Sequence, residues 1–198
     1  MYIPSEDSYF IGSKIERYKG KNALEIGTGS GLLLEILSKN FETVIGTDIH
    51  LGSLIYSSEK SSKKIMMVCC DVVSALCNIE YDLIVSNPPY LNSMTLNPDV
   101  AISGGISGIE VAIRFVNSSI NLLAYTGKFV ILLSDSADLG KFFAFLNSKN
   151  LSFTQIGSKK LFFEILYMLE ISKKLESLAN RENKNMGELI NTRGNLWI

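Results

Sequence analysis

Short, near-continuous apolar runs alternate with amphipathic stretches along most of the chain. Runs such as Phe129-Val130-Ile131-Leu132-Leu133 carry no regular polar alternation. That suits parallel strands covered on both faces. The pattern predicts strands near 22–26, 43–47, 65–70, 82–86 and 127–133, and helices near 32–39, 51–60, 108–123 and 137–149. Ahead of them, Tyr2-Ile3-Pro4-Ser5-Glu6-Asp7-Ser8 reads as an extended lead into a helical run from Tyr9 to Tyr18, with Ser5 or Asp7 as its cap. The alternation then stops. Ser152 to Ile156 and Phe162 to Ile171 are joined only by Gly157-Ser158-Lys159-Lys160-Leu161, so they read as a β-hairpin that makes one strand antiparallel. The expected fold is α/β, a doubly wound, mostly parallel seven-stranded sheet with a C-terminal antiparallel β-hairpin, in a single domain over 1–171. From Ser172 the chain is polar and rich in Asn, Lys and Glu. Residues 172–198 are expected as a weak helix around Leu175, Leu178 and Ala179 and then a flexible tail.

Two strand ends carry the candidate chemistry. Asp82-Leu83-Ile84-Val85-Ser86 runs directly into Asn87-Pro88-Pro89-Tyr90. Each proline fixes its own φ and restricts the residue before it, so the loop is stiff. It can hold an amide side chain, bare carbonyls and a ring at the lip of a cleft. A planar NH2 group could donate to Asn87 and the Pro88 carbonyl while stacking on Tyr90. The plainer reading is a rigid turn. The second motif, Leu24-Glu25-Ile26-Gly27-Thr28-Gly29-Ser30-Gly31, weighs against that reading. A glycine-rich strand-to-helix turn is the usual nucleotide cradle of open α/β sheets. Its spacing is G-x-G-x-G, not G-x-G-x-x-G, and no Lys-Ser/Thr pair follows as in a phosphate loop. Alone it is a weak signal. However, Asp48 ends the next strand about 20 residues on, where a carboxylate receives ribose hydroxyls. Asp71 ends the strand after that. Acids in matched places after successive strands point to an adenosine-bearing ligand; a lone Asp there is more often a helix cap.

Composition narrows the choices. A chain of 198 residues with net charge −1 and no long basic block has no broad electrostatic grip on nucleic acid. Cys69, Cys70 and Cys77 lack C-x-x-C spacing and companion histidines, so buried thiols are expected and no metal site. His50 is the only histidine, which argues against a triad. The start, Met1 to Tyr9, has no basic-then-apolar signal pattern and no apolar stretch reaches spanning length. A soluble, cytoplasmic protein with no membrane partner is expected.

The α-linked strands, the G-x-G-x-G turn and Asn87-Pro88-Pro89-Tyr90 together resemble the class I S-adenosylmethionine-dependent methyltransferases. More closely, the chain is similar to the HemK-related glutamine N5-methyltransferases that modify class I translation release factors, in their short archaeal and eukaryotic branch. That branch's Tyr-x-Pro-x-Glu-Asp-Thr/Ser opening is matched by Tyr2 to Ser8. Its Ala-x-x-Gly-Gly-x-x-Gly-x-Glu segment is matched by Ala101, Gly104, Gly105, Gly108 and Glu110. Ser107 departs from the family's Asp or Asn and puts the hydrogen bonding of that turn in question. Ser8 in place of Thr is mild.

The resemblance implies S-adenosyl-L-methionine as cofactor, with Gly27, Gly29 and Gly31 bordering its methionine part, Glu25 nearby and Ser8 reaching its carboxylate. It implies Asp48 at the ribose and Asp71 and Val72 at the adenine. Asn87, Pro88 and Tyr90 would hold the acceptor amide, with Asp7 at the same mouth. Adenine-N6 methylation of DNA or RNA is the nearest rival, since an exocyclic amine offers the same planar NH2. Such enzymes extrude the base and grip the strand, and no target-recognition domain is evident. A non-catalytic scaffold would be marked by broken motifs, and both motifs are intact. Protein lysine methylation stays open as a second activity. The third strand, Ile65 to Cys70, is expected at the sheet edge, apolar on both faces, with Lys60, Lys63 and Lys64 only at its start. Edges of that kind are normally covered or charged. Either a neighbouring helix buries it, or another protein pairs with it. The resemblance implies the second, a small zinc-binding activator protein that docks at this side.

Overall fold

The computed structural model describes residues 4–58, 65–77, 79–92 and 103–174. In chain order the elements are α1 (Glu6–Ile15), β1 (Gly20–Ile26), α2 (Leu32–Ser38), β2 (Phe41–Asp48), α3 (Leu51–Ser58), β3 (Ile65–Cys69), β4 (Tyr81–Ser86), β5 (Leu91–Asn92), β6 (Ser103–Gly105), α4 (Glu110–Ser119), β7 (Leu123–Ser134), α5 (Leu139–Ser148), β8 (Leu151–Lys160) and β9 (Ile165–Lys173), with a 3-10 turn at Ile120–Leu122 before β7. The main sheet has seven strands in the order β3-β2-β1-β4-β7-β9-β8. The first five are parallel; β9 runs against both β7 and β8.

Alternation along the central strands sends successive side chains to opposite faces, and both faces are dry. Leu24, Ile84, Phe129 and Ile131 meet α4 and α5 through Ala112, Val116, Phe142 and Leu146. Ala23, Leu83, Val130 and Leu132 meet α1 and α2 through Ile11, Ile15, Leu34 and Leu37. This is why the strands read as unbroken apolar runs.

Several expectations shift. The hairpin does not turn at 157–161, because β8 continues through Lys160 and the turn is Leu161–Glu164, with Leu161 N–H donating to Glu164 O at 2.8 Å. A register shift between Gln155 and Gly157 leaves Ile156 as the extra residue, and Gly157 pairs with Met168 inside the strand. β9 extends to Lys173, past Ile171. β7 begins at Leu123 because it slips against β4, pairing Leu123 with Tyr81 but Lys128 with Leu83. Helix α1 starts earlier than expected. Ser5 occupies its cap position, yet its hydroxyl donates to Asp7 Oδ1 at 2.6 Å instead of serving a backbone N–H. Nor are the cysteines all buried: Cys69 and Cys77 are exposed and Cys70 half-buried, all as free thiols. Cys69 is exposed because β3 is an edge strand. Ala101, Lys60, Lys63, Lys64 and the segment containing Leu175, Leu178 and Ala179 lie outside the described residues.

Candidate active site

The chain leaves β1 through Gly27, Gly29 and Gly31, whose φ values of 78°, 54° and 82° lie where side-chain-bearing residues are strained. The turn is tied down by its neighbours. Gly27 and Thr28 donate N–H to Thr47 O at 2.8 and 3.0 Å, and Gly29 donates to Asp48 Oδ2 at 2.9 Å. The other Asp48 oxygen receives His50 N–H at 2.8 Å. The Ser57 hydroxyl of α3 donates to Gly29 O at 3.1 Å. Asp48 thus braces the cradle and keeps accepting capacity, since a carboxylate offers about four lone-pair positions.

Glu25, at the end of β1, is only 3% exposed, and its Oε2 has no hydrogen-bond partner. Burial pushes its carboxyl well above the usual range, the Asp48 charge pushes it further, and a hydrogen bond from Leu34 backbone opposes them. A buried acceptor in this condition fits a cationic ligand group that would satisfy it.

At the end of β4 the Ser86 hydroxyl donates to Ile26 O at 2.9 Å, locking the two strand ends together. The chain then enters Asn87. Asn87 Nδ2 donates to Asp7 Oδ2 at 2.9 Å, while Asp7 Oδ1 receives the Ser5 hydroxyl and the Ser8 N–H, each at 2.6 Å. An ionised Asp7 can only accept, so it must face the NH2 side of the amide. That orients Asn87 Oδ1, which is buried with no partner, as a spare acceptor. Pro88 is buried beside it. The β5–β6 pair folds against this loop: a Cβ on Gly104 would sit 2.8 Å from Pro89 O and 2.4 Å from Gly108 O, so only glycine fits there. Ser107 keeps the neighbouring turn intact. Its hydroxyl donates to Glu110 Oε1 at 2.6 Å and receives Lys141 Nζ at 3.1 Å.

These groups line one cleft of about 1070 Å³, slightly above the range of about 300–1,000 Å³ usual for small-ligand sites. Asp7, Ser8, Glu25, Gly27, Gly29, Asp48, Asp71, Val72, Asn87, Pro88 and Tyr90 all border it. Gly31 does not; it caps α2, where a Cβ would come 3.0 Å from Ser57 Cβ. Asp71 is exposed and ion-paired with Arg114, and Val72 has a positive φ of 53°. Arg114, Phe115 and Glu164 also line the cleft and were missed from the sequence. The first two come from α4, beyond the motif that ends at Glu110. Glu164 gave one faint signal, an acid opening the apolar run Ile165-Leu166. Among the described residues no His, Cys, Asp and Glu side chains converge as a metal site, and no helix is long and apolar enough to cross a membrane.

The methyltransferase small domain family model matches residues 7–161. A Methanocaldococcus jannaschii protein named as a protein N5-glutamine methyltransferase is 28% identical over 142 residues, covering 68% of this chain and 72% of its own. A Rhodopirellula baltica release factor glutamine methyltransferase is 27% identical over 154 residues, 65% of this chain, but the match spans only 52% of its length. Among solved structures, a chain of the E. cuniculi Mtq2–Trm112 complex, described as responsible for methylation of the eRF1 translation termination factor, superposes with a TM-score of 0.72 at 26% identity, covering 87% of this chain and 98% of that one. The seven-stranded sheet with its antiparallel last pair is the class I methyltransferase fold.

Proposed function

Because the chain belongs to the methyltransferase small domain family, we propose that it methylates the side-chain amide nitrogen, N5, of a glutamine in a class I translation release factor, using S-adenosyl-L-methionine. One observation carries a planar NH2 acceptor, and the relatives named for glutamine methylation favour glutamine over adenine: Asp7 takes the Asn87 NH2 and leaves the buried Asn87 Oδ1 unpaired beside Pro88. A primary amide has two N–H groups, and this corner accepts one at Asn87 Oδ1 and the other at the Pro88 carbonyl. Tyr90 stacks on its flat face. The relatives named for glutamine methylation support the same acceptor.

The cleft suits the cofactor. Glu25 and Ser8 would receive its amino acid end, Asp48 its ribose and Asp71 with Val72 its adenine. Bound there, S-adenosylmethionine supplies an electrophilic methyl group for in-line displacement. An amide nitrogen is a poor nucleophile because its lone pair is delocalised. Holding both N–H groups turns that lone pair outwards, and such orientation supplies about 7–11 kcal/mol in favourable cases. Acceptors fixed in advance also favour the nitrogen as it becomes positive. No strong base is required before transfer, because the proton can leave afterwards.

The partner follows the same reading. The comparison with a two-protein complex supports a partner protein; in this reading the partner is a small zinc-binding activator that pairs with β3. Met66 is 49% exposed on that edge strand, and Ile49, Leu51 and Ile55 are exposed on or beside α3, which packs on it. A release factor as substrate goes with a cytoplasmic protein.

The deciding experiment incubates the protein, alone and with the activator, with labelled S-adenosylmethionine and release factor, DNA or RNA. Mass spectrometry then maps the methyl. Label on a glutamine amide, lost in Asn87→Ala with cofactor binding retained, is expected. Label on adenine, or undiminished transfer by Asn87→Ala, overturns the assignment.

A further inference from the structure

Phe162 and Phe163 are 91% and 92% exposed, while each of the chain's other phenylalanines is buried or half-buried. Their rings meet edge to face, with centroids 4.6 Å apart and planes at 76°. They are the two central residues of the turn Leu161–Glu164, so neither side chain can fold back on the sheet. Tight hairpin turns favour Gly, Asn and Asp. Two aromatic rings at such a tip break that preference without any gain inside the fold, which marks a functional element.

The tip stands beside the candidate active site. β9 runs antiparallel to β7, which brings the β8–β9 turn to the end of the sheet where β1, β2 and β4 discharge into the cleft. Asp135 clamps it there, accepting Ile165 N–H on Oδ1 at 2.9 Å and donating its own N–H to Ile165 O at 3.0 Å. Lys159 pairs with Glu6 at 2.9 Å and fastens β8 to the start of α1, next to Asp7. Glu164, the residue after the two rings, lines the cleft and has a buried Oε2 without a partner. Since β7 separates β9 from β4, Glu164 approaches from the side away from Asp48 and Asp71. It therefore belongs to the acceptor end.

We propose that this turn docks the protein substrate: Phe162 and Phe163 seat in an apolar patch of the release factor, and Glu164 accepts an N–H of the segment that enters the cleft. The proposal rests on the glutamine reading above and adds a surface to it. A cofactor-sized molecule inside the cleft has no use for two rings that point into solvent, so the occupant is a macromolecule. The cleft is lined by the carboxyl side chains of Asp7, Glu25, Asp48, Asp71 and Glu164 against the one guanidinium of Arg114, and with a net charge of −1 that disfavours a polyphosphate strand and fits backbone N–H donors.

The test compares folded release factor with a short peptide carrying the same glutamine, using the protein with its activator. Phe162→Ser/Phe163→Ser should raise KM for the folded factor roughly tenfold or more and leave peptide methylation and cofactor affinity unchanged. Phe162→Leu/Phe163→Leu should recover most of the loss. Glu164→Gln, acting inside the cleft, should slow both substrates. A double-serine variant that matches native enzyme on the folded factor overturns the docking surface while leaving glutamine methylation standing. One that also loses peptide methylation or cofactor affinity overturns it too, as does a loss confined to RNA methylation. Native enzyme that methylates neither factor nor peptide overturns the glutamine reading itself, and this docking role with it.

Discussion

Asp7 does its work through another side chain. By accepting the Asn87 NH2 it decides which end of that amide faces the cleft. Asp7→Ala releases a charge-assisted hydrogen bond of about 1.5–3 kcal/mol, and kcat should fall roughly 10- to 100-fold. Single-turnover kinetics at saturating cofactor check this, and an unchanged rate would show that Asn87 needs no anchor. Glu25 makes the opposite trade. Burial and Asp48 raise its carboxyl well above the usual range, so the folded chain holds a proton that the unfolded chain has lost. Stability therefore falls as pH climbs from the ordinary carboxylate range towards the raised folded value. Glu25→Gln should remove that loss and stabilise the ligand-free protein at neutral to alkaline pH by about 0.5–2 kcal/mol, while weakening cofactor binding. Melting curves across pH and calorimetry measure the two effects, and a variant that loses stability as pH rises would contradict the assignment.

The turn between β6 and α4 depends on Glu110. Partial burial alone would raise this carboxyl. The Lys141 ammonium and Ser107 hydroxyl outweigh that, helped by the backbone N–H groups of Glu110 and Ser107, and hold it at about 2. A depressed carboxyl contributes stability above its unfolded value, near 4.5, and loses it as pH drops towards 2. Glu110→Gln should flatten the acid limb of the stability curve and loosen the turn that supports Pro89. Acid titration of native and variant, followed by hydrogen exchange at Gly105 to Gly108, should show both; identical acid limbs would mean the contact carries no folding free energy. The same turn shows why a substitution can be silent. Ser107 still bridges Glu110 and Lys141 through one hydroxyl.

For the molecule as a whole the open edge matters most. Among the described residues β3 pairs only with β2, and Met66 on it and Ile55 on the neighbouring α3 are exposed apolar side chains of the kind that invite association. The isolated chain should aggregate and gain solubility when co-expressed with the proposed activator. Met66 is the position to test, because Met67 packs into the core and its replacement would also disturb the fold. Met66→Lys should weaken the complex roughly tenfold or more, about 1.4 kcal/mol, with cofactor affinity unchanged. Gel filtration and calorimetry decide it; a variant that binds the activator as tightly as native chain would move the interface elsewhere.

The order of strands and helices, the cradle and the Asn87 loop were legible along the chain because each is a local pattern. Apolar runs follow from burial on both faces, Gly27, Gly29 and Gly31 from the backbone their turn needs, and the two prolines from the stiffness of their loop. Strand ends moved where pairing overrode local preference: Gly157 sits inside β8 and Leu123 opens β7, since a partner strand stabilises residues that alone would turn. What no local pattern contains is convergence. Asp7 meets Asn87 across 80 positions of sequence. Glu164 reaches the same cleft only because β9 runs back along β7. Arg114 and Phe115 arrive on a helix whose own period reports burial and nothing of the cleft. Hydrophobic periodicity records whether a residue is buried, but which distant polar atoms are left facing one another depends on sheet order and register, and those are set by the packing of the whole chain.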